Sequence, residues 1–356
     1  MANKEMDWEK VRAEYPGLQG HTYLDTGSMG LMARSTVEAA HAEHERLARE
    51  GSTRGIYWMM EGLQGIAGEV ATHIGGDAAG TVLFQSFTAG LSRIAPLLKH
   101  RPKVLLVGGD YPTLHGPFQW NGFDVVMVKP AADGSIPMEL LASALEKERP
   151  QLVGISHVQW GTGYTINLKA LGDLCRHHGA WSVVDITQSW CCVPMDLRTA
   201  PIDIIGGSGY KWPLGGFGNG FFHLAPQVRA ELAERNGFDP VKALSEGHLD
   251  PVAHVRLRDG LKRHSALGAE AVWACVQQLT HYAAERLDAA GIRILNGRDA
   301  ANRAGILIIE GGKERQAALA AAGIPVQLRG AGLRVGIHFY NNREEVERLV
   351  EVVQRA

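Results

Sequence analysis

Cysteine is scarce in this chain of 356 residues: there are four, Cys175, Cys191, Cys192 and Cys275, and no two are spaced C-x-x-C. A thiolate zinc site and a dithiol redox motif are thereby disfavoured. The vicinal pair Cys191-Cys192 follows a strand-like run and reads as small core residues. Charge of one sign is also missing. Lys and Arg number 36 against 38 Asp and Glu, a formal net charge of -2, so the basic surface that a nucleic acid requires is absent. No apolar run approaches the roughly 20 residues that span a bilayer. The opening "MANKEMDWEKVRAEYPG" is charged throughout and has no apolar stretch of the signal-peptide kind. The expectation is a cytoplasmic protein with neither a nucleic-acid nor a membrane partner. Histidines are scattered. His41 and His44 share a helical pattern, but no third ligand is near and H-E-x-x-H is absent, so no metal site is expected.

What is present is ordinary for a globular protein: 45% hydrophobic residues, with no repeat and no low-complexity linker. Between residues 80 and 225 short apolar runs alternate with amphipathic ones. The runs are "TVLFQ", "KVLLV", "DVVMV", "QLVGIS", "WSVVD", "IDIIG" and "GFFHL". They are rich in β-branched residues and apolar on both faces, as strands of a buried, mostly parallel sheet must be. "MELLASALEKE" and "LKALGDLCRHHG" between them have helical spacing, the second stopping at Gly179. The fold class is α/β, doubly wound. After residue 265 a long helical pattern, "SALGAEAVWACVQQLTHYAAERLDAAG", precedes "GILII", "KERQAALAAAG", "GLRVGI" and "REEVERLVEVVQR". This tail reads as a smaller α+β domain. The expected division is a large domain over residues 16–250 and a small one over 251–356 together with 1–15.

Within "IDIIGGSGYKWPLGGFGNGFFHL" stands one lysine, Lys211, among glycines and large apolar residues. Lysine is almost never buried without a partner. In doubly wound sheets ligands bind beyond the carboxyl ends of the strands, and the polar residues there form a set. Ser86-Phe87-Thr88-Ala89 follows the first run, Asp110-Tyr111 the second, and His157, Gln159 and Trp160 the fourth. Asp185 ends the fifth, with Gln188 after it, and Ser208, Tyr210 and Lys211 follow the sixth. Such a set suits pyridoxal phosphate: an amine for the Schiff base, an acid for the pyridine nitrogen, a helix start with a hydroxyl for the phosphate and an aromatic for the ring. A nucleotide site is the rival, because "GGFGNG" is glycine-rich. Those glycines lead into a strand, however, and open no helix.

These residues resemble the class V aminotransferase family, fold type I pyridoxal-phosphate enzymes. The group includes cysteine desulfurases, isopenicillin N epimerase-like proteins and carbon–sulfur lyases. The likeness runs from "TYLDTGSMGLM" to "LRVGIHFYNNREEVERLV", with Asp185-x-x-Gln188 followed by Ser208-Gly209-Tyr210-Lys211 as its strongest part. It implies a large domain with a mostly parallel seven-stranded sheet and a smaller C-terminal α+β domain. By position, Lys211 carries the cofactor, Asp185 pairs with the pyridine nitrogen and Gln188 meets the ring hydroxyl. Phe87, Thr88, Ala89, Ser208 and Tyr210 hold the phosphate, and Tyr111 stacks on the ring. Arg334 takes the substrate carboxylate, and Gln159 and Arg54 are further candidates for the substrate.

The resemblance also implies a homodimer acting on a small α-amino acid through an external aldimine. The expected outcome is β-elimination of the carbon–sulfur lyase type, or transamination, with epimerisation as the alternative. Cysteine desulfuration is disfavoured: "AAGIPVQLRGAG", where desulfurases carry a mobile cysteine, has none. The family's G-T, which reaches the partner's phosphate, is here Gly260-Leu261.

Overall fold

The computed structural model describes residues 6–296, 303–330 and 332–356. Seven strands form the main sheet: β1 (Thr81–Phe84), β2 (Lys103–Val107), β3 (Asp124–Val128), β4 (Leu152–Ser156), β5 (Trp181–Asp185), β6 (Ile204–Ser208) and β7 (Gly220–Leu224). Their order is β1-β7-β6-β5-β4-β2-β3. The pairs from β3 through β6 are parallel, and β7 runs antiparallel to both β6 and β1. Side chains alternate between two cores. Leu105, Val107, Val153, Ile155, Val184 and Ile205 face one. Val104, Leu106, Leu152, Val183 and Ile204 face the other. This explains why the runs are apolar at consecutive positions.

A second sheet has the order β8-β10-β9, made of β8 (Ile306–Glu310), β9 (Gln327–Arg329) and β10 (Gly332–Gly336), all antiparallel. Its core also takes Tyr15, Leu18 and Leu24 from the N-terminal part of the chain. The helix Pro251–Leu267, in contrast, gives Leu257 and Leu261 to the core of the large sheet. The first five residues of the proposed small domain, and Ala331 in "AAGIPVQLRGAG", lie outside the described residues. The long helical pattern after residue 265 is two helices, Pro251–Leu267 and Ala269–Ala289, broken at Gly268. Gly268 has φ +85°, a conformation that glycine adopts without a Cβ clash.

Residues 25–30 run between the two sheets. Asp25 bridges Gly336 of β10, and the Gly30 N–H donates to the Tyr210 carbonyl at 2.9 Å. A Cβ on Gly30 would sit 2.0 Å from the Lys211 carbonyl oxygen. Gly260 meets the same segment from the other side: its Cβ would lie 2.1 Å from the Pro213 carbonyl oxygen. The backbone that carries the lysine is thus clamped by two close approaches only glycine permits. Leu214, just beyond, has φ +62°, a left-handed conformation that costs energy in a residue with a Cβ.

Candidate active site

The lysine is buried, 5% exposed, as is Asp185 at 4%. Asp185 ends β5, and Lys211 lies in the turn after β6, the neighbouring strand. Two aromatic rings flank the amine: Lys211 Nζ is 5.3 Å from the centre of Tyr111 and 5.4 Å from that of Tyr210. Among the described residues the amine forms no hydrogen bond or ion pair. Burial pulls the Lys211 amine below its ordinary value, and Arg334 adds to this, while Asp185 opposes it. Burial in turn pushes the Asp185 carboxyl up against the favourable pull of Thr187, whose N–H donates to Oδ1 at 2.8 Å. An amine ready to give up its proton therefore stands beside an acid ready to share one.

The phosphate end is a helix start, Phe87–Ile94, capped by Ser86. Two of its N–H groups already have partners. Phe87 N donates to Ser208 Oγ at 2.8 Å, and Ala89 N donates to Ser86 Oγ at 3.2 Å. Thr88, half-buried, keeps both its N–H and its hydroxyl free of hydrogen bonds among the described residues. The free donors are thus Thr88's, while the N–H groups of Phe87 and Ala89 hold the hydroxyls of Ser208 and Ser86. A helix N-terminus with a free N–H and hydroxyl fits a phosphate.

Gln188 is tied at both ends. Its Nε2 donates to the Gly27 carbonyl at 3.0 Å, and its Oε1 accepts from the Trp212 indole at 2.8 Å. One amide hydrogen remains for a ring hydroxyl. The donor set of Lys211, Asp185, Thr88 and Gln188 fits pyridoxal phosphate.

Arg334, on β10 and 2% exposed, donates to Ser28 Oγ at 2.6 Å and to the Trp160 carbonyl at 3.2 Å. Its Nε is buried without a partner. Asp25 Oδ1 lies 3.7 Å from its NH2, close enough for charge pairing and too far for a hydrogen bond. Arg334 is therefore an interior residue and not an edge-strand surface cation.

Two substrate candidates need correction. Both amide hydrogens of Gln159 are used, on Asp110 Oδ2 and the Ser156 carbonyl, each at 3.0 Å. It has no donor left for a carboxylate. Asp110, which also accepts from the Ser156 N–H and hydroxyl at 2.8 and 2.6 Å, is what Gln159 supports. Arg54 forms a forked pair with Glu43, Nε to Oε1 at 2.7 Å and NH2 to Oε2 at 2.6 Å. It stacks on Tyr57 and makes none of the contacts around Lys211.

Sequence reasoning missed the strap residues Gly27 and Ser28. The signal was in "TYLDTGSMG", where a small-residue run invites close approach. Trp160 packs edge-on against Tyr111 at 5.6 Å and is held by its indole N–H on the Gly109 carbonyl at 3.0 Å. Away from this group, His73, His264 and Cys191 cluster within 4.8 Å. The Trp190 indole donates to His73 Nδ1 at 3.2 Å, so His73 carries its proton on Nε2. That nitrogen then faces His264 Nδ1 at 2.9 Å as a donor. The cluster is a hydrogen-bonded chain of neutral rings, with no lone pair on His73 Nε2 to offer a metal.

The sequence profile of the family "Aminotransferase class-V" matches residues 118–349, and that of "Aminotransferase class I and II" matches residues 21–187. The isopenicillin N epimerase of Streptomyces clavuligerus is 26% identical over 392 residues, covering 98% of each chain. Among solved structures, a cysteine desulfurase from Thermococcus onnurineus NA1 superposes with a TM-score of 0.89 at 19% identity, over 100% of this chain and 99% of that one. The cystine C–S lyase C-DES, in complex with its product cysteine persulfide, superposes with a TM-score of 0.87 at 19% identity, over 96% and 99%.

Proposed function

This chain belongs to the aminotransferase class-V family of pyridoxal-phosphate enzymes, and on that premise we propose that it is a lyase that eliminates the β-substituent, carbon–sulfur bonded, from a small α-amino acid. The observation that carries the proposal is the company of Lys211. One amine, held below its ordinary value, lies between two tyrosines with no competing ion pair among the described residues. Pyridoxal phosphate, when bound, supplies an electron sink conjugated to the α-carbon of the substrate. The residues of the chain do the rest. Lys211 Nζ is the base placed to accept the α-proton. Asp185 would keep a proton on the ring nitrogen, and Gln188 would orient the ring through its remaining amide hydrogen. Thr88, Ser208 and the helix start at Phe87 and Ala89 would anchor the phosphate, with Tyr210 alongside. Tyr111 would cover the ring.

Burial, with Tyr111 beside it, pushes the Tyr210 hydroxyl up. It stays protonated and can meet a departing anion as its charge develops. Arg334 holds the α-carboxylate through a forked contact. The four cysteines are all buried, and burial pushes the Cys192 and Cys275 thiols up to about 12. This supports the reading against a desulfurase, which needs an accessible thiolate.

A second reading is epimerisation, favoured by the likeness to isopenicillin N epimerase over nearly the full length of both chains. We further propose a cytoplasmic homodimer, with the chain divided into a large and a small domain near the bounds 16–250 and 251–356, the helix Pro251–Leu267 packing with the large sheet and Leu18 and Leu24 with the small one. A panel of amino acids separates the readings. Pyruvate with ammonia is the expected product. A new amine on an added keto acid would mean transamination. Loss of optical rotation alone would mean epimerisation. All three activities, and the yellow colour of the holoenzyme, should vanish in Lys211→Ala.

A further inference from the structure

We infer that Arg329 forms a second anion subsite beside Arg334, so that the preferred substrate carries a negative charge on its side chain or leaving group as well as its α-carboxylate. The inference rests on the reading of Arg334 as the α-carboxylate residue. It starts from strand register. In the β9–β10 pair Arg334 lies opposite Gln327, and Arg329 opposite Gly332. Residues opposite each other in a sheet share a face, and so do residues two apart on one strand. Gln327, Arg329 and Arg334 therefore project from the same face. Arg329 is the diagonal neighbour of Arg334, about 7 Å away at the backbone, and Gly332 opposite it contributes no side chain that would cover it.

The surroundings of Arg329 have the character of a ligand site. Its guanidinium lies over the Trp160 ring, 5.6 Å from the centroid. That is the same Trp160 whose carbonyl accepts from Arg334 and whose ring packs on Tyr111, itself beside the amine of Lys211. One chain of contacts thus links Arg329 to the reacting end of the site. Arg329 Nε is buried without a partner. Among the described residues its only hydrogen bond runs from NH1 to the adjacent Leu328 carbonyl, at 3.1 Å, and it forms no ion pair. Among the described residues the carboxylate that acts on Arg329 through its charge is Asp25, which also accepts from Gln327 Nε2 at 3.0 Å and lies 3.7 Å from Arg334. A half-buried guanidinium with unused donors above an aromatic ring is an anion receptor in need of an anion. Two such guanidinium groups, on diagonal positions of one sheet face, suit the two charged ends of an acidic amino acid or of a cysteine conjugate whose leaving thiol bears an anion. A neutral side chain would leave Arg329 unmatched.

The test is calorimetric titration of the holoenzyme with succinate and with butyrate, which differ only by the second carboxylate. Succinate is expected to bind at least about tenfold more tightly, a typical gain from one forked charge contact. Arg329→Gln should abolish that preference while leaving butyrate binding unchanged, and Arg329→Lys should keep part of it. Equal binding of the two acids to the native enzyme would overturn the subsite. So would an Arg329→Gln variant that weakens both by the same factor. Dicarboxylate binding needs no cofactor chemistry, so the same titration on cofactor-free protein separates the two claims. A preference for succinate in a protein that never turns yellow with added pyridoxal phosphate would sink the lyase reading and keep the subsite. A yellow enzyme without the preference would do the reverse.

Discussion

Trp212 donates its indole N–H to Gln188 Oε1 at 2.8 Å. The residue after the buried lysine thereby holds the amide that lies three positions after Asp185. Trp212 itself is 1% exposed and belongs to the core of the small sheet, while its carbonyl accepts from His338 Nε2 at 3.0 Å. The orientation of a ring-binding amide on the large sheet is thus set by a side chain buried in the other core.

Replacing that indole tests the coupling. Trp212→Phe keeps most of the apolar volume but leaves Gln188 Oε1 buried and unpaired, which costs on the order of 1–3 kcal/mol. Urea unfolding should show a loss of this size. Cofactor affinity should fall as well, because Gln188 is freed to turn. Unchanged stability and unchanged affinity together would show that the bond contributes nothing.

The lysine itself gives a pH signature. In the unfolded chain Lys211 holds its proton up to about 10.5, whereas burial makes the folded chain release it at lower pH. Between those values unfolding takes up a proton, so this residue makes stability rise with pH across that window. In cofactor-free protein, Lys211→Met should therefore be more stable than wild type near neutral pH, on the order of 1–2 kcal/mol. The advantage should shrink as pH approaches 10. Thermal unfolding of both proteins at several pH values measures it. A gain that is constant with pH would point to packing in place of the buried amine.

Arg54 offers the opposite case, a cation whose role is structural. Glu43 is 4% exposed and accepts from Arg54 twice and from the Trp58 indole at 2.6 Å. Arg54→Ala strands that carboxylate, and breaking a buried pair in this way costs about 3 kcal/mol. The unfolding midpoint should drop while the colour and the Michaelis constant of folded enzyme stay put. A raised Michaelis constant with unchanged stability would restore Arg54 to the substrate.

Much of this site is legible in one sequence, and the reason is physical. Strands buried on both faces must be apolar at every position, so "KVLLV" and "WSVVD" stand out. Residues that end them, such as Asp185, then fall at one edge of the sheet by topology alone. Lys211 is conspicuous because nothing in its local sequence would tolerate a solvated charge. The parts that were not legible depend on contacts across the chain. Gln159 has the right place for a substrate residue, yet its amide is consumed by Asp110, from the turn after β2, and by the Ser156 carbonyl. Arg54 is drawn away by Glu43, eleven residues earlier. β9 is too short, at three residues, to show a period, so the face that Arg329 shares with Arg334 emerges only from the register. The break at Gly268 is hidden because both helices around it keep a helical pattern.

The strap of residues 25–30 has a consequence for biosynthesis. It touches Gly336 through Asp25, Arg334 through Ser28, Gln188 through Gly27 and Tyr210 through Gly30. A ribosome emits the first of these segments more than 300 residues before the last. The early segment can meet Gln188 and Tyr210 once those residues are out, but its contacts to Arg334 and Gly336 have to wait until nearly the entire polypeptide has emerged, and closing so distant a contact is slow. A nascent chain halted before residue 334 can stack its large sheet but lacks the strand that the strap joins, so the seam between the two sheets belongs to the end of translation.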